Sequence, residues 1–213
     1  MNTEWAAQNL QTIRTLMERS ALYRRAMAPI TLTIGTIGFV SAIAAIQMEG
    51  ISANHFILWW LATAAIAMTS ALFLMKRQAS QEGETFWSAP ARKVAQAMAP
   101  AFVGAGLLTL GLLLPSSAPA AMETDLKVSL IPPLLILFYG CGVHAAGFFI
   151  PRGVKLFGWI FILSGIVLWV CPVQTWLGAH TANAEMGLFF GLFHQIYGVY
   201  LYITERKEPT SES

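Results

Sequence analysis

Six uncharged runs, Ala26–Met48, Gly50–Met75, Val94–Met122, Val128–Pro151, Leu156–Ala184 and Met186–Thr204, are separated by short charged segments. A helix rises 1.5 Å per residue, so about 20 apolar residues cross roughly 30 Å of hydrocarbon, and each run is long enough to span. The pattern predicts an all-α, polytopic membrane protein of six transmembrane helices, with spans over 27–48, 55–75, 94–114, 129–150, 155–172 and 185–204. Ahead of them, residues 1–25 carry Trp5, Leu10, Ile13, Leu16 and Met17 at helical spacing, opposite Gln8, Gln11, Arg14 and Glu18. That periodicity predicts an amphipathic N-terminal helix on the cytoplasmic side, lying on the inner leaflet or docking a soluble protein partner. Residues 205–213 form a short charged tail.

The charges orient the bundle. Of thirteen Lys and Arg, twelve fall in the N-terminal segment, the second and fourth connections and the C-terminal tail; Lys127 alone falls on the other side. By the positive-inside bias the rich side is cytoplasmic, which places both termini there. The first run follows a 25-residue charged segment and reads as a retained signal anchor rather than a cleaved leader.

Composition narrows the class further. Hydrophobic residues make up 56% and charged residues 11%, with a mean hydropathy of +0.59, so the lipid bilayer is the expected surroundings. The net charge of +2 sits on the flanks and suits anionic head groups; no basic face is dense enough for nucleic acid. Cys141 and Cys171 lie at depths about 8 Å apart and are expected as free thiols. Phe86 and Trp87 read as interfacial anchors, and Ser88 as the cap of a helix that starts at Ala89 and Pro90. Residues from Pro115 to Lys127 and from Pro172 to Ala184 read as outer loops, and Trp59, Trp60, Trp159 and Trp169 as belt residues. Ala26-Met27-Ala28-Pro29 recurs as Ala97-Met98-Ala99-Pro100, which suggests a repeated hairpin.

Two histidines carry the chemistry. An ionisable group within hydrocarbon is costly and is a functional candidate by default, which singles out His144 in the fourth run and His194 in the sixth. His144 stands eight residues from Arg152 and His194 eleven from Glu205, so their depths differ by about 4.5 Å. Gly140, His144 and Gly147 share one stripe; Gly187, Gly191, His194 and Gly198 share another. Glycine stripes let membrane helices approach closely, so the two are expected to face each other. Cys141, Gln195 and Tyr197 complete the candidate ligand-binding set. No resident cofactor is expected on the structural reading, in which each imidazole bonds a carbonyl or a tyrosine. The alternative is a b-type haem held by His144 and His194, or a small transporter core. No carboxylate falls inside a run, which weighs against proton- or cation-coupled transport.

Six spans with a nucleophile on the fourth and a histidine on the sixth resemble the rhomboid intramembrane proteases. Locally the likeness fails: the family's Gly-x-Ser-Gly stands here as Tyr139-Gly140-Cys141-Gly142, and no oxyanion donor accompanies a Cys141/His194 dyad. A broader resemblance rests on Met17-Glu18-Arg19-Ser20 with Tyr23-Arg24, on Phe86-Trp87-Ser88 to Arg92, and on Phe138-Tyr139-Gly140 ending at Pro151-Arg152. These segments are similar to a group of small bacterial six-span proteins with no assigned activity. That resemblance implies a bacterial inner-membrane protein, multi-pass and not an enzyme. Homo-oligomers are compatible with this reading.

Overall fold

The computed structural model describes residues 27–48, 52–81, 83, 86–114, 120–150, 153–171 and 179–205. The amphipathic helix expected over 1–25, the charged tail after Glu205 and Trp176 lie outside them. Six helices, and no strands, occur among the described residues. They are α1 (Met27–Ile46), α2 (Ala53–Gln81), α3 (Ala89–Gly111), α4 (Ala120–Ala146), α5 (Val154–Val170) and α6. The last is α-helical over Ala179–Met186, π-helical over Gly187–Phe193 and α-helical again over His194–Glu205. Five of the six are long and apolar enough to cross a membrane; α5, with 17 residues, is shorter.

Glycines set the packing. On α5, a Cβ at Gly158 would stand 2.6 Å from the His144 backbone nitrogen, and one at Gly165 would stand 2.8 Å from that of Leu137. On α4, one at Gly140 would stand 2.6 Å from the Ile162 nitrogen, and one at Gly147 would meet Lys155. The partners run in opposite directions along the two helices, so α4 and α5 form an antiparallel hairpin whose backbones touch where only hydrogen fits. A second antiparallel pair joins α1 to α6. Gly191 lies against Phe39, Gly35 against Gln195, Gly187 against Ala42 and Gly198 against Leu32. The glycine stripes of the fourth and sixth runs therefore do not face each other, as their composition suggested. Each is matched to a different helix.

Around these pairs the core falls in two clusters. One joins Ala42, Phe56, Ile57, Trp60, Ile131 and Met186; the other joins Ile136, Val143, Phe157, Phe161 and Phe189. α4 is the centre of the bundle: half of its most apolar stretch is buried, against 11% for α3, which packs on α4 along one side. Pro132 and Pro133 sit inside α4 and are fully buried. A buried helix tolerates such prolines when its neighbours cover the freed carbonyls.

Several boundaries differ from those the sequence suggested. α4 begins at Ala120 rather than after Lys127, because Lys127 is buried along the helix and donates from Nζ to the Leu114 carbonyl at 3.4 Å. Likewise α6 begins at Ala179, inside what reads as a loop, and it carries Glu185 as a buried residue. A carboxylate is thus enclosed in the bundle, where charge punctuation alone placed it between runs. Trp60 is buried, not a belt residue, and donates from Nε1 to Asn183 Oδ1 at 3.0 Å. Trp159 and Trp169 are exposed as expected. α3 does start at Ala89 after Ser88, with proline in its first turn, but the Ser88 hydroxyl makes no capping bond.

Candidate functional site

One enclosed polar centre of the bundle is a hydrogen-bonded Tyr139–His194 couple, in which the histidine is buried and the tyrosine half-buried. His194 is 1% exposed and follows the π-helical segment, in which residues five apart come into register. That register sets the imidazole over its own helix: Nδ1 lies 2.9 Å from the Phe189 carbonyl. A carbonyl only accepts, so Nδ1 carries the hydrogen. Nε2 is then the acceptor, and Tyr139 on α4 donates its hydroxyl to it at 2.6 Å.

Aromatic rings close the centre on every side. Phe157 and Phe161 of α5 present their edges to the imidazole at 5.2 and 5.5 Å between centroids, and Phe190 stacks on it at 6.2 Å. The Tyr139 ring stacks in turn on Phe102 of α3 at 5.9 Å. Helices α3, α4, α5 and α6 therefore meet at two polar side chains whose bonding groups are turned on each other. In a medium with no water, that arrangement selects one register of α6 against α4, because any slip leaves a buried hydroxyl or imidazole unpaired.

The other expected site residues scatter. Gln195 points to the opposite side of α6 and donates from Nε2 to the Leu32 carbonyl at 3.1 Å and to Thr36 Oγ1 at 2.7 Å, locking α1. Tyr197 stacks on Phe157 at 4.3 Å, and its buried hydroxyl has no hydrogen-bond partner among the described residues. Cys141 and Cys171 are free, as expected; both are exposed, which takes Cys141 out of the interior set it was grouped with. Cys141 does not pair with His194, whose ring nitrogens are both engaged elsewhere.

His144 belongs to a different environment. Its Nδ1–H donates to the Lys155 carbonyl at 3.3 Å, and its ring stands edge-on to Phe148 and Trp159 at 5.5 and 5.3 Å. Five residues separate it from Tyr139, which on a helix is about 140° of rotation and 7.5 Å of rise. With Tyr139 turned to His194, His144 is directed elsewhere. Matched depth brought the two histidines together in the sequence, but depth fixes only one of the two helical coordinates. Counted the same way, Tyr139 lies thirteen residues from Arg152, so its depth matches that of His194 to about 3 Å. That was the available signal for the true partner. Among the described residues no group of three or more His, Cys, Asp or Glu side chains is arranged to hold a metal ion.

Fold and site together define a multi-pass α-helical membrane protein whose helices are fastened by a Tyr139–His194 couple and by the bonds of Trp60 to Asn183 and of Gln195 to α1. No protein family, curated protein or solved structure matches the chain.

Proposed function

We propose that this is a six-span bacterial inner-membrane protein, both termini cytoplasmic, that works as a rigid helical scaffold receiving a partner helix within the bilayer. The observation that carries the partner reading is the contrast between α4 and α3. The interior at α4, α5 and α6 is filled by interlocking rings, whereas α3 is the least buried of the five long helices and leaves Val103, Leu107 and Leu110 exposed at one-turn spacing in its second half. Binding is therefore assigned to the outside of the bundle rather than to its core. α5 serves as the sixth span: its 17 residues cover about 25 Å, at the lower end of what crosses a bilayer, and it is sheathed along one side by α4.

Photo-crosslinking side chains placed at Val103 and Leu107 in intact cells test the reading, with Ile196 and Val199 on α6 as exposed controls. A discrete heavier species from the α3 positions alone is expected. The same pattern from both faces, or none from either, overturns the assignment. Reporter fusions test the topology separately: those after Lys76 and at Ser213 are expected in the cytoplasm, and those near Ser52, Ser117 and His180 outside. A haem held by His144 and His194 requires His144 to turn from Lys155 toward the sixth helix, and a Soret band lost in His144→Ala is the spectrum that supports it. Such a haem also requires His194 to release either Tyr139 or the Phe189 carbonyl.

A further inference from the structure

The α4–α5 hairpin ends in a cluster that the scaffold reading leaves unused. Lys155, exposed in the first turn of α5, holds its ammonium 3.9 Å from the centroid of the Phe148 ring. His144 braces the cluster from beneath, with its ring between Phe148 and Trp159 and its Nδ1–H on the Lys155 carbonyl. Phe148 and Trp159 are both exposed. No acidic residue occurs from Val128 to Ala184, and the acidic residues of α4, Glu123 and Asp125, stand at its opposite end, so neither helix of the hairpin supplies this cation with a local carboxylate. Lys155 forms no ion pair among the described residues.

Next to the cation runs a track. Leu156, Ile160, Leu163, Val167 and Val170 are all exposed and recur at steps of four and three, one face of α5 from its first turn to its last. The first ten residues or so of that face, at 1.5 Å each, cover about 15 Å, half of a roughly 30 Å hydrocarbon core and so one acyl chain's reach into its leaflet. A basic residue on an aromatic frame, continued by an unbroken apolar stripe, matches the two ends of a single molecule.

We propose that the inner end of the α4–α5 hairpin binds an anionic phospholipid. Lys155 receives the phosphate, the Phe148 and Trp159 rings frame the glycerol region, and the α5 stripe carries an acyl chain. His144 is a positioning residue: with its Nδ1–H held by the Lys155 carbonyl, it fixes the turn from which the ammonium projects. A free phosphate meets the cation alone and gains nothing from the track. The proposal rests on α4 and α5 crossing a bilayer. Its failure is distinguishable from failure of that reading, because the reporter fusions report topology without reference to lipid.

Native mass spectrometry of the full chain, purified in a neutral detergent and mixed with equal amounts of phosphatidylglycerol and phosphatidylcholine, tests it. Preferential retention of phosphatidylglycerol is expected, reduced about fivefold in Lys155→Gln, in keeping with the contribution of one basic residue near an anionic surface. Lys155→Arg is expected to keep the preference and Leu163→Asp, which charges the track, to lose it. Glycerol 3-phosphate in excess should leave lipid retention unchanged. Lys76→Gln, at the exposed end of α2, is the control for charge alone. Equal retention of the two lipids by the wild type, an undiminished preference in Lys155→Gln, or an equal loss in Lys76→Gln overturns the proposal. Thermal unfolding of each variant within a few degrees of the wild type establishes that the binding change is local.

Discussion

Replacing Gly158 by alanine tests whether the α4–α5 contact is as close as it is drawn. The added carbon would lie 2.6 Å from the His144 nitrogen and 2.8 Å from its Cα, about 1 Å inside the separation at which such atoms attract. Both are backbone atoms of a helix, so no rotamer change relieves them and the two helices must separate. Overpacking of this kind costs about 1–3 kcal/mol. Alanine is also the better helix former by about 1 kcal/mol, a gain that offsets the overpacking at Gly158 only in part. Gly106 on α3 isolates that gain, since a Cβ there meets nothing within 4 Å. Gly106→Ala is therefore expected to be neutral or stabilising, and Gly158→Ala to be less stable than it by the overpacking cost alone, about 1–3 kcal/mol. Unfolding in mixed micelles with rising denaturing detergent measures both. Because separation of the helices also lengthens the His144–Lys155 bond, Gly158→Ala should weaken retention of phosphatidylglycerol as well. If Gly158→Ala is as stable as Gly106→Ala, the helices do not touch backbone to backbone and the argument from the glycines fails.

Tyr139→Phe removes the hydroxyl but leaves His194 Nε2 buried, so it should destabilise the bundle by about 1 kcal/mol. Tyr139→Phe combined with His194→Leu should cost less than the sum of the two single changes; strict additivity in the same assay means the couple contributes nothing. In a Cys141→Ser, Cys171→Ser background, Tyr139→Cys with His194→Cys should crosslink with a short bifunctional reagent, while His144→Cys with His194→Cys should not. Efficient crosslinking of the second pair restores a shared histidine site. Finally, the intact mass of the unmodified protein should be the same with and without reductant, and both thiols should react with a membrane-permeant maleimide; protection of Cys141 would show that α4 turns another face to the lipid.

Sequence alone was enough for the helical class and for the six apolar helices among the described residues, because each follows from local periodicity and from the cost of placing charge or unpaired backbone in hydrocarbon. The free state of the two cysteines was legible for a similar reason, since residue counts along a helix translate into depth. Depth was also where that reasoning stopped. Lys127, Glu185 and Trp60 read as boundary residues because charge and indole normally mark an interface, yet neighbouring helices enclose all three. The two glycine stripes announced close contacts without saying with what, as a glycine face fits any backbone of the right curvature. Only the tertiary structure assigned one to α5 and the other to α1. The same holds for the histidines. Their rotation about the helix axis depends on the π-helical segment before His194 and on the packing of α4, neither of which leaves a periodic trace in the chain, so it took the folded bundle to join His194 to Tyr139 and to turn His144 toward Lys155.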